Sequence, residues 1–250
     1  MALAHMPSTS SSSSGGGGRR RRRPLGGFEH FMWRAHRMGC GLIYAIADTA
    51  APALDPPHPL AGADGPELLR QAALLCARRH PNLRARLGVD SRTGDPYLEE
   101  LSYDDFLALY PVHVPLVAEQ PAVEYAEKLL LSTPIPTAAA PVWQLALVRH
   151  GGANPQPQLV LLVHHSVLDG DSVVQFLREV MENVYAIRGR SPQSPGDIAA
   201  ILAAAPAPLP FLPAQDQLFA TLLAGGDGDG WLSRLRFALK RLAWSVFFLF

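Results

Sequence analysis

The chain has 250 residues, of which 48% are hydrophobic and 18% charged, enough to form one large domain or two small ones around a sizeable core. Lys and Arg together number 22, as do Asp and Glu, and this balance excludes a strong net field that would attract nucleic acid or an acidic partner. The two cysteines, Cys40 and Cys76, lack CxxC spacing, which argues against structural zinc and favours a reducing, cytoplasmic compartment.

Residues 1–27 are predicted to form a disordered, low-complexity tail. The tail contains three runs of one residue type, which are Ser10–Ser14, Gly15–Gly18 and Arg19–Arg23. We interpret the arginine run as a solvated segment, with a targeting, membrane or nucleic-acid contact as the alternative. No apolar stretch of the signal-peptide kind follows Met1, so we expect no secretory signal.

Globular composition begins at Phe28, and the first clear helix is predicted from Pro66 to Arg79. It should end at His80-Pro81, because a residue that precedes proline avoids the α region. A half-exposed strand is predicted next, since apolar and basic residues alternate over Leu83, Arg84, Ala85, Arg86 and Leu87. A turn at Gly94–Pro96 and a short strand from Tyr97 to Leu101 follow.

The second half of the chain carries stronger patterns. A helix is predicted from Val123 to Leu131, and two strands begin at Val142 and Gln158. The connector HGGANPQPQ is rich in turn-forming residues, so we expect the two strands to form a hairpin. A long amphipathic helix should follow, with Ser172 as its N-cap and Gly189 at its end.

The second strand of this hairpin ends in two adjacent histidines, His164 and His165, with Asp169-Gly170 four residues later. A histidine at a strand end is held in a fixed direction, and its ordinary pKa near 6.5 suits proton removal at neutral pH. The aspartate can fold back to fix the loop, and glycine lets a substrate or another segment come close. A shared metal is the weaker interpretation, because adjacent strand residues point to opposite faces.

The segment HHSVLDG, from His164 to Gly170, resembles the HHxxxDG acyltransferases, which are related to chloramphenicol acetyltransferase and to peptide-synthetase condensation domains. Three flanking segments are also similar to that superfamily: RRHPNLRARL (78–87), APVWQLALV (140–148) and PLGGFEHFMW (24–33). The last of these resembles the opening segment of the alcohol-acylating branches. The resemblance covers residues 24–190.

The resemblance implies a role for each residue of the motif. His165 would be the general base, while His164 and Asp169 would support the loop and Gly170 would leave space where the acyl-thioester arm meets the acceptor. It implies no bound cofactor and no metal, with acyl-CoA as co-substrate. The fold it implies is α/β: a chloramphenicol acetyltransferase-like sandwich with a mixed, largely antiparallel sheet and helices on one face, as one lobe of two.

Four regions are predicted on this basis: a tail (1–27), an acyltransferase N-terminal lobe (28–190), a Pro/Ala/Gly-rich linker (191–230) and the start of a basic amphipathic helix (231–250). Family members are about twice the size of this lobe. We therefore expect the chain to be a fragment or a half-enzyme, and two copies could pair if the second lobe is absent. The final helix is predicted to pack on that lobe, with membrane-surface association as the alternative.

The expected function is O-acyl transfer from acyl-CoA to an alcohol, of the wax ester synthase/diacylglycerol acyltransferase type. Two alternatives stay open at this stage. One is a short-chain alcohol acetyltransferase, and the other is a non-catalytic relative that binds acyl groups or acts as a scaffold. No nucleic-acid partner is expected.

Overall fold

The computed structural model describes residues 21–37, 41–49, 58–110, 112–132, 141–151, 156–189 and 208–210. The strands within these ranges are β1 (Arg22–Pro24), β2 (Leu42–Asp48), β3 (Ala85–Val89), β4 (Pro96–Glu100), β5 (Leu116–Val117), β6 (Trp143–Val148) and β7 (Gln158–His164). The helices are α1 (Gly27–Arg37), α2 (Gly65–Arg79), α3 (Tyr103–Leu109), α4 (Ala122–Ser132) and α5 (Gly170–Gly189).

The strand that carries the histidines lies inside a four-stranded sheet of order β2-β7-β6-β5. β6 and β7 are antiparallel with Trp143 opposite Val163, so the pairing predicted for these two strands is confirmed. β2, which the sequence did not predict, pairs along the other edge of β7 from Leu42, opposite His164, to Asp48, opposite Gln158. Every residue of β7 after Gln158 is buried, and because successive side chains point to opposite faces of the sheet, both faces are covered, which explains the unbroken apolar run.

The two faces of this sheet are covered by different helices. Leu159, Leu161 and Val163 of β7 belong to a large core that also contains the apolar residues of α2 and α5. Val160 points the other way, into a smaller core with Ala126 of α4. The mixed, largely antiparallel α/β fold is therefore as predicted, but α4 is an exception to the prediction that helices cover one face only.

A second sheet of order β1-β4-β3 contains the first strand of the described chain. Arg22, Arg23 and Pro24 pair with β4 in an antiparallel register, so the predicted tail is wrong for these residues. The isolated sequence of β1 resembles a solvated basic run because the partner that orders it, β4, lies more than 70 positions away in the chain. Residues 1–20 of the predicted tail lie outside the described residues.

The strand predicted from Leu83 begins only at Ala85, after a 3-10 turn over Pro81–Arg84. Arg84 is buried rather than half-exposed, and its guanidinium donates hydrogen bonds to the carbonyl oxygens of Ala77 (2.7 Å) and Leu101 (3.2 Å). Alternating polarity indicated exposure for this arginine, but its side chain instead joins the end of α2 to the segment after β4.

Helix α5 begins three residues earlier than predicted. Its N-cap is Asp169, whose Oδ1 accepts a hydrogen bond from the Ser172 backbone N–H at 2.9 Å, so the prediction of Ser172 as the cap is wrong. The helix ends at Gly189, as predicted. Apart from 208–210, the predicted linker (191–230) and final helix (231–250) lie outside the described residues. Among the described helices, none is both long and apolar enough to cross a membrane.

Candidate active site

The backbone at the end of β7 is held from both sides. The His164 N–H donates to the Val142 carbonyl oxygen (2.8 Å), and the His165 N–H donates to that of Gly41 (3.0 Å). The chain then turns, with the Val167 N–H bonded to the His164 carbonyl oxygen at 2.9 Å. Both histidines therefore sit on backbone that the sheet fixes, as a site for directed proton transfer requires.

His164 is completely buried. Its Nδ1 accepts a hydrogen bond from the Ser166 backbone N–H at 3.1 Å, which places the hydrogen of the neutral ring on Nε2. Two side chains of α1 face this ring: the centroid of His36 lies 4.8 Å away and that of Trp33 lies 6.4 Å away. Among the described residues, His164 Nε2 has no hydrogen-bond partner.

Burial, with smaller contributions from His36 and His165, lowers the pKa of His164 to about 3. The pKa of His36 is also lowered, again because the ring is buried. His164 is therefore neutral at pH 7 and enclosed by protein. These properties suit a supporting side chain better than one that meets a substrate, and its assignment as motif support stays a prediction.

His165 has a different environment, since its side chain is only half-buried. Its ring packs against that of Phe28 in a T-shaped arrangement, with a centroid distance of 5.5 Å and an interplanar angle of 82°. Its Nδ1 is buried and lacks a hydrogen-bond partner within the described ranges. Of the two adjacent histidines, His165 is thus the one with access to solvent.

Gly41 allows α1 and β2 to approach each other closely beside the histidines. A Cβ atom added at Gly41 would lie 2.1 Å from the Cβ of His36, a distance that folded proteins do not tolerate. The absence of a side chain at position 41 therefore lets α1 place His36 against His164 while the Gly41 carbonyl oxygen holds the His165 N–H.

Asp169 and Gly170 close the loop after the histidines. Asp169 caps α5, as described above, and so fixes where the loop ends. Gly170 is exposed, and a Cβ added there would meet no atom within 4 Å. The space over Gly170 is open in the described chain, as expected for a residue that borders a channel, although the channel role itself stays a prediction.

Among the described residues, we looked for a metal centre and for a reactive thiol and found neither. In the ranges that the structure describes, no group of three or more His, Cys, Asp or Glu side chains is arranged to hold a metal ion. Cys76 is fully buried with its Sγ 3.3 Å from Asn183 Nδ2, and burial raises the pKa of its thiol far above the usual value. Cys40 lies outside the described residues.

Sequence reasoning missed the contribution of α1. This helix places Phe28 on His165, and Trp33 and His36 on His164. A signal was present, because Glu29, Trp33 and His36 follow the helical spacing i, i+4, i+7 and so share one face. The polar character of Glu29 and His36 concealed this pattern, since both are buried.

The sequence matches no family model and no curated protein. Its fold, however, is similar to solved structures. The first condensation domain of the calcium-dependent antibiotic synthetase, in complex with a substrate analogue, superposes with a TM-score of 0.56 at 21% identity, covering 82% of this chain and 43% of that one. A second structure of that domain gives 0.54 at 20% identity, with coverage of 82% and 46%.

The epimerization domain from the third module of tyrocidine synthetase B gives a TM-score of 0.51 at 14% identity, covering 90% of this chain and 45% of that one. In each of these comparisons the chain spans less than half of the solved structure's length. The similarity agrees with the α/β sandwich and with one lobe of two, as the motif implied. The chain has the fold of the condensation domains, which is related to that of chloramphenicol acetyltransferase.

Proposed function

We propose that this chain carries the proton-accepting half of an acyltransferase that moves an acyl group from acyl-CoA to an alcohol, with His165 as the general base. One observation carries the proposal. At the end of a central strand, His165 is half-buried and held by Gly41 and Phe28, whereas its neighbour His164 is wholly enclosed. A fixed and reachable imidazole is what general-base catalysis needs.

The reaction proposed is a direct transfer. His165 accepts the proton of the acceptor hydroxyl while the oxygen attacks the thioester carbonyl carbon. The tetrahedral intermediate collapses with cleavage of the C–S bond, and the imidazolium returns the proton to the departing thiolate. The products are an ester and free CoA, so no covalent acyl-enzyme and no bound cofactor are required.

We propose a long-chain alcohol or diacylglycerol acceptor, as in the wax ester type, because the basic amphipathic segment predicted at 231–250 would bring the chain to a lipid surface. Association of the protein with a membrane surface belongs to the same proposal. A short-chain alcohol acetyltransferase and a non-catalytic acyl-binding relative are the other outcomes of the test. Pairing of two copies is a further proposal that applies only if no second lobe is joined to this chain.

The test is turnover of acyl-CoA by the full chain, with acetyl-CoA and palmitoyl-CoA as donors and ethanol and hexadecanol as acceptors. Changing His165→Ala should lower turnover by about 100-fold or more, the usual loss when a general base is removed. The thermal melt should stay close to that of the unchanged protein, because the His165 backbone bond to Gly41 is kept.

A matched control is His113→Ala, since His113 is exposed and lies outside the site. This variant should keep both turnover and stability. If His165→Ala retains near-normal turnover while His164→Ala abolishes it, the assignment of the base is wrong. Binding of acyl-CoA without any ester product would instead support the non-catalytic alternative.

A further inference from the structure

An ion pair with little exposure to solvent joins Arg23 of β1 to Glu29 in the first turn of α1. The Glu29 carboxylate, in a residue that is only 2% exposed, accepts two hydrogen bonds from the Arg23 guanidinium, at 2.6 and 2.8 Å. The same carboxylate accepts the Gly26 backbone N–H at 2.9 Å. Three hydrogen bonds thus fix the turn that joins β1 to α1.

This turn touches the motif loop at two consecutive residues. The Ser166 hydroxyl donates a hydrogen bond to the Glu29 carbonyl oxygen at 3.0 Å, and Ser166 is itself buried. One residue earlier in each segment, the rings of Phe28 and His165 pack in a T-shaped arrangement. The segment fixed by the ion pair is therefore the one that contacts both His165 and the residue after it.

We propose that Glu29 is a positioning residue for His165: with Arg23 it locks the first turn of α1, and that turn sets the orientation of the His165 ring through Phe28 and Ser166. The inference rests on the proposed function in that His165 is the base to be oriented. Orientation matters because a displacement of about 1 Å in a catalytic group can cost 100-fold in rate.

The Arg23–Glu29 pair could in principle serve stability alone, so the test needs a direct readout of His165. Diethyl pyrocarbonate modifies accessible imidazole nitrogens, and mass spectrometry of the digested protein gives the modification rate of each histidine. The exposed His113 is an internal reference within the same sample. This readout requires no substrate and no turnover.

Two variants weaken, in different ways, the contact between the first turn of α1 and the loop that carries His165 and Ser166. Glu29→Gln keeps an acceptor for the Gly26 N–H but removes the charge that pairs with Arg23. Ser166→Ala leaves the ion pair intact and removes only the hydroxyl bond to α1. Should Glu29→Gln fail to fold because Arg23 is left buried without a counter-ion, Arg23→Lys tests the ion pair instead, since an ammonium group cannot make the same two parallel hydrogen bonds to the Glu29 carboxylate. Ser166→Ala then tests only the contact between α1 and the loop.

Matched controls come from exposed positions. Glu182→Gln is the control for Glu29→Gln, because it makes the same chemical change in an exposed pair with Arg178. Ser132→Ala is the control for Ser166→Ala and lies at the exposed end of α4. Neither should alter the modification of His165. Arg23→Lys, which keeps the positive charge near Glu29, should stay closer to the unchanged protein than Glu29→Gln.

We expect Glu29→Gln and Ser166→Ala to change the modification rate of His165 relative to His113 by about threefold or more, and to lower kcat by about tenfold with KM for acyl-CoA nearly unchanged. An unchanged His165 rate in both variants overturns the inference. If the unchanged protein transfers no acyl group, the proposed function fails, while the modification rates still decide whether Glu29 fixes His165.

Discussion

His36 and His164 face each other in the protein interior with ring centroids 4.8 Å apart. Both are buried, and neither has an acidic partner among the contacts that the structure describes. The enclosed pair can be accommodated only while both rings are neutral, because two buried positive charges at this distance would repel strongly. This arrangement makes the stability of the fold sensitive to pH.

Acidification should therefore destabilise the protein well before its carboxylates titrate. The unfolded chain binds a proton at each histidine near pH 6.5, whereas the folded pKa of His164 is lowered to about 3. The unfolded state then holds more protons between these values, so stability is greatest above pH 6.5 and falls as pH decreases. The expected loss from His164 is about 1 kcal/mol per pH unit once the pH is well below 6.5, and His36 adds to it in the same direction.

The measurement is the free energy of unfolding in urea at pH 7.5, 6.5 and 5.5. His164→Asn should give a shallower pH dependence, because an amide oxygen can still accept the Ser166 N–H but cannot titrate. The exposed control, His113→Asn, should keep the original slope. Equal slopes in all three proteins would contradict the prediction.

The parts of the fold that the sequence predicted correctly are those with local signals. β6 and β7 have long apolar runs separated by turn-forming residues, and α2 and α5 have apolar residues at helical spacing. These patterns are set by neighbours within a few positions. They located the end of β7, and with it His164 and His165, without any knowledge of the tertiary structure.

The parts that the sequence did not predict depend on distant partners. The sequence alone predicts Arg84 as an exposed strand residue. In the structure it is buried because it donates hydrogen bonds to the carbonyl oxygens of Ala77 and Leu101. Glu29 and His36 are polar residues on the buried face of α1, and only the fold reveals that Arg23 and His164 are their neighbours. Burial of a polar group requires such a partner or a stable neutral form, and neither can be deduced from local periodicity.

The strand β1 offers a prediction about the segment that looked disordered in the sequence. Glu99 has a completely buried side chain, and its carboxylate binds the guanidinium groups of Arg22 in β1, at 2.7 Å, and Arg86 in β3. Changing Glu99→Gln should lower the free energy of unfolding by about 2 kcal/mol, because two charge-assisted hydrogen bonds are weakened in a buried site. Urea denaturation at pH 7 measures the change.

Arg22→Ala should cost less than Glu99→Gln, about 0.5 kcal/mol, because this arginine is largely exposed and water screens its charge. Burial raises the pKa of Glu99, but the two arginines outweigh burial and lower it overall. Their stabilisation is therefore complete above about pH 4.5 and is lost as pH falls below that value. If neither substitution changes the free energy of unfolding, the ion pair between β1 and Glu99 does not contribute to stability.

Two substitutions of Asp169 should show whether its side-chain oxygen or its charge stabilises the start of α5. Asp169→Ala removes the acceptor for the Ser172 N–H at the start of α5 and should cost about 1 kcal/mol of stability as well as activity. Asp169→Asn keeps an oxygen in the same place and should melt near the unchanged protein. Thermal melts and acyl-CoA turnover of both variants check this. An Asp169→Ala protein that melts at the same temperature as the unchanged protein would contradict the capping role.

Substitutions at Gly170 can show whether glycine is needed at this position for folding or for substrate binding. The residue starts α5, its added Cβ would meet no atom within 4 Å, and alanine is a better helix former than glycine. Gly170→Ala should therefore leave stability unchanged or raise it by about 0.5 kcal/mol. If the open space above Gly170 admits the thioester arm, the same change should raise KM for acyl-CoA, and Gly170→Val should raise it further.

The matched control for this prediction is Gly189→Ala at the opposite end of α5, where an added Cβ also meets open space. It should leave KM at the original value. Steady-state kinetics with varied acyl-CoA, together with a thermal melt of each variant, separate the two effects. If Gly170→Ala and Gly170→Val both retain the original KM, the space beside the motif is not part of the substrate path, because a bulkier side chain there would otherwise narrow the path.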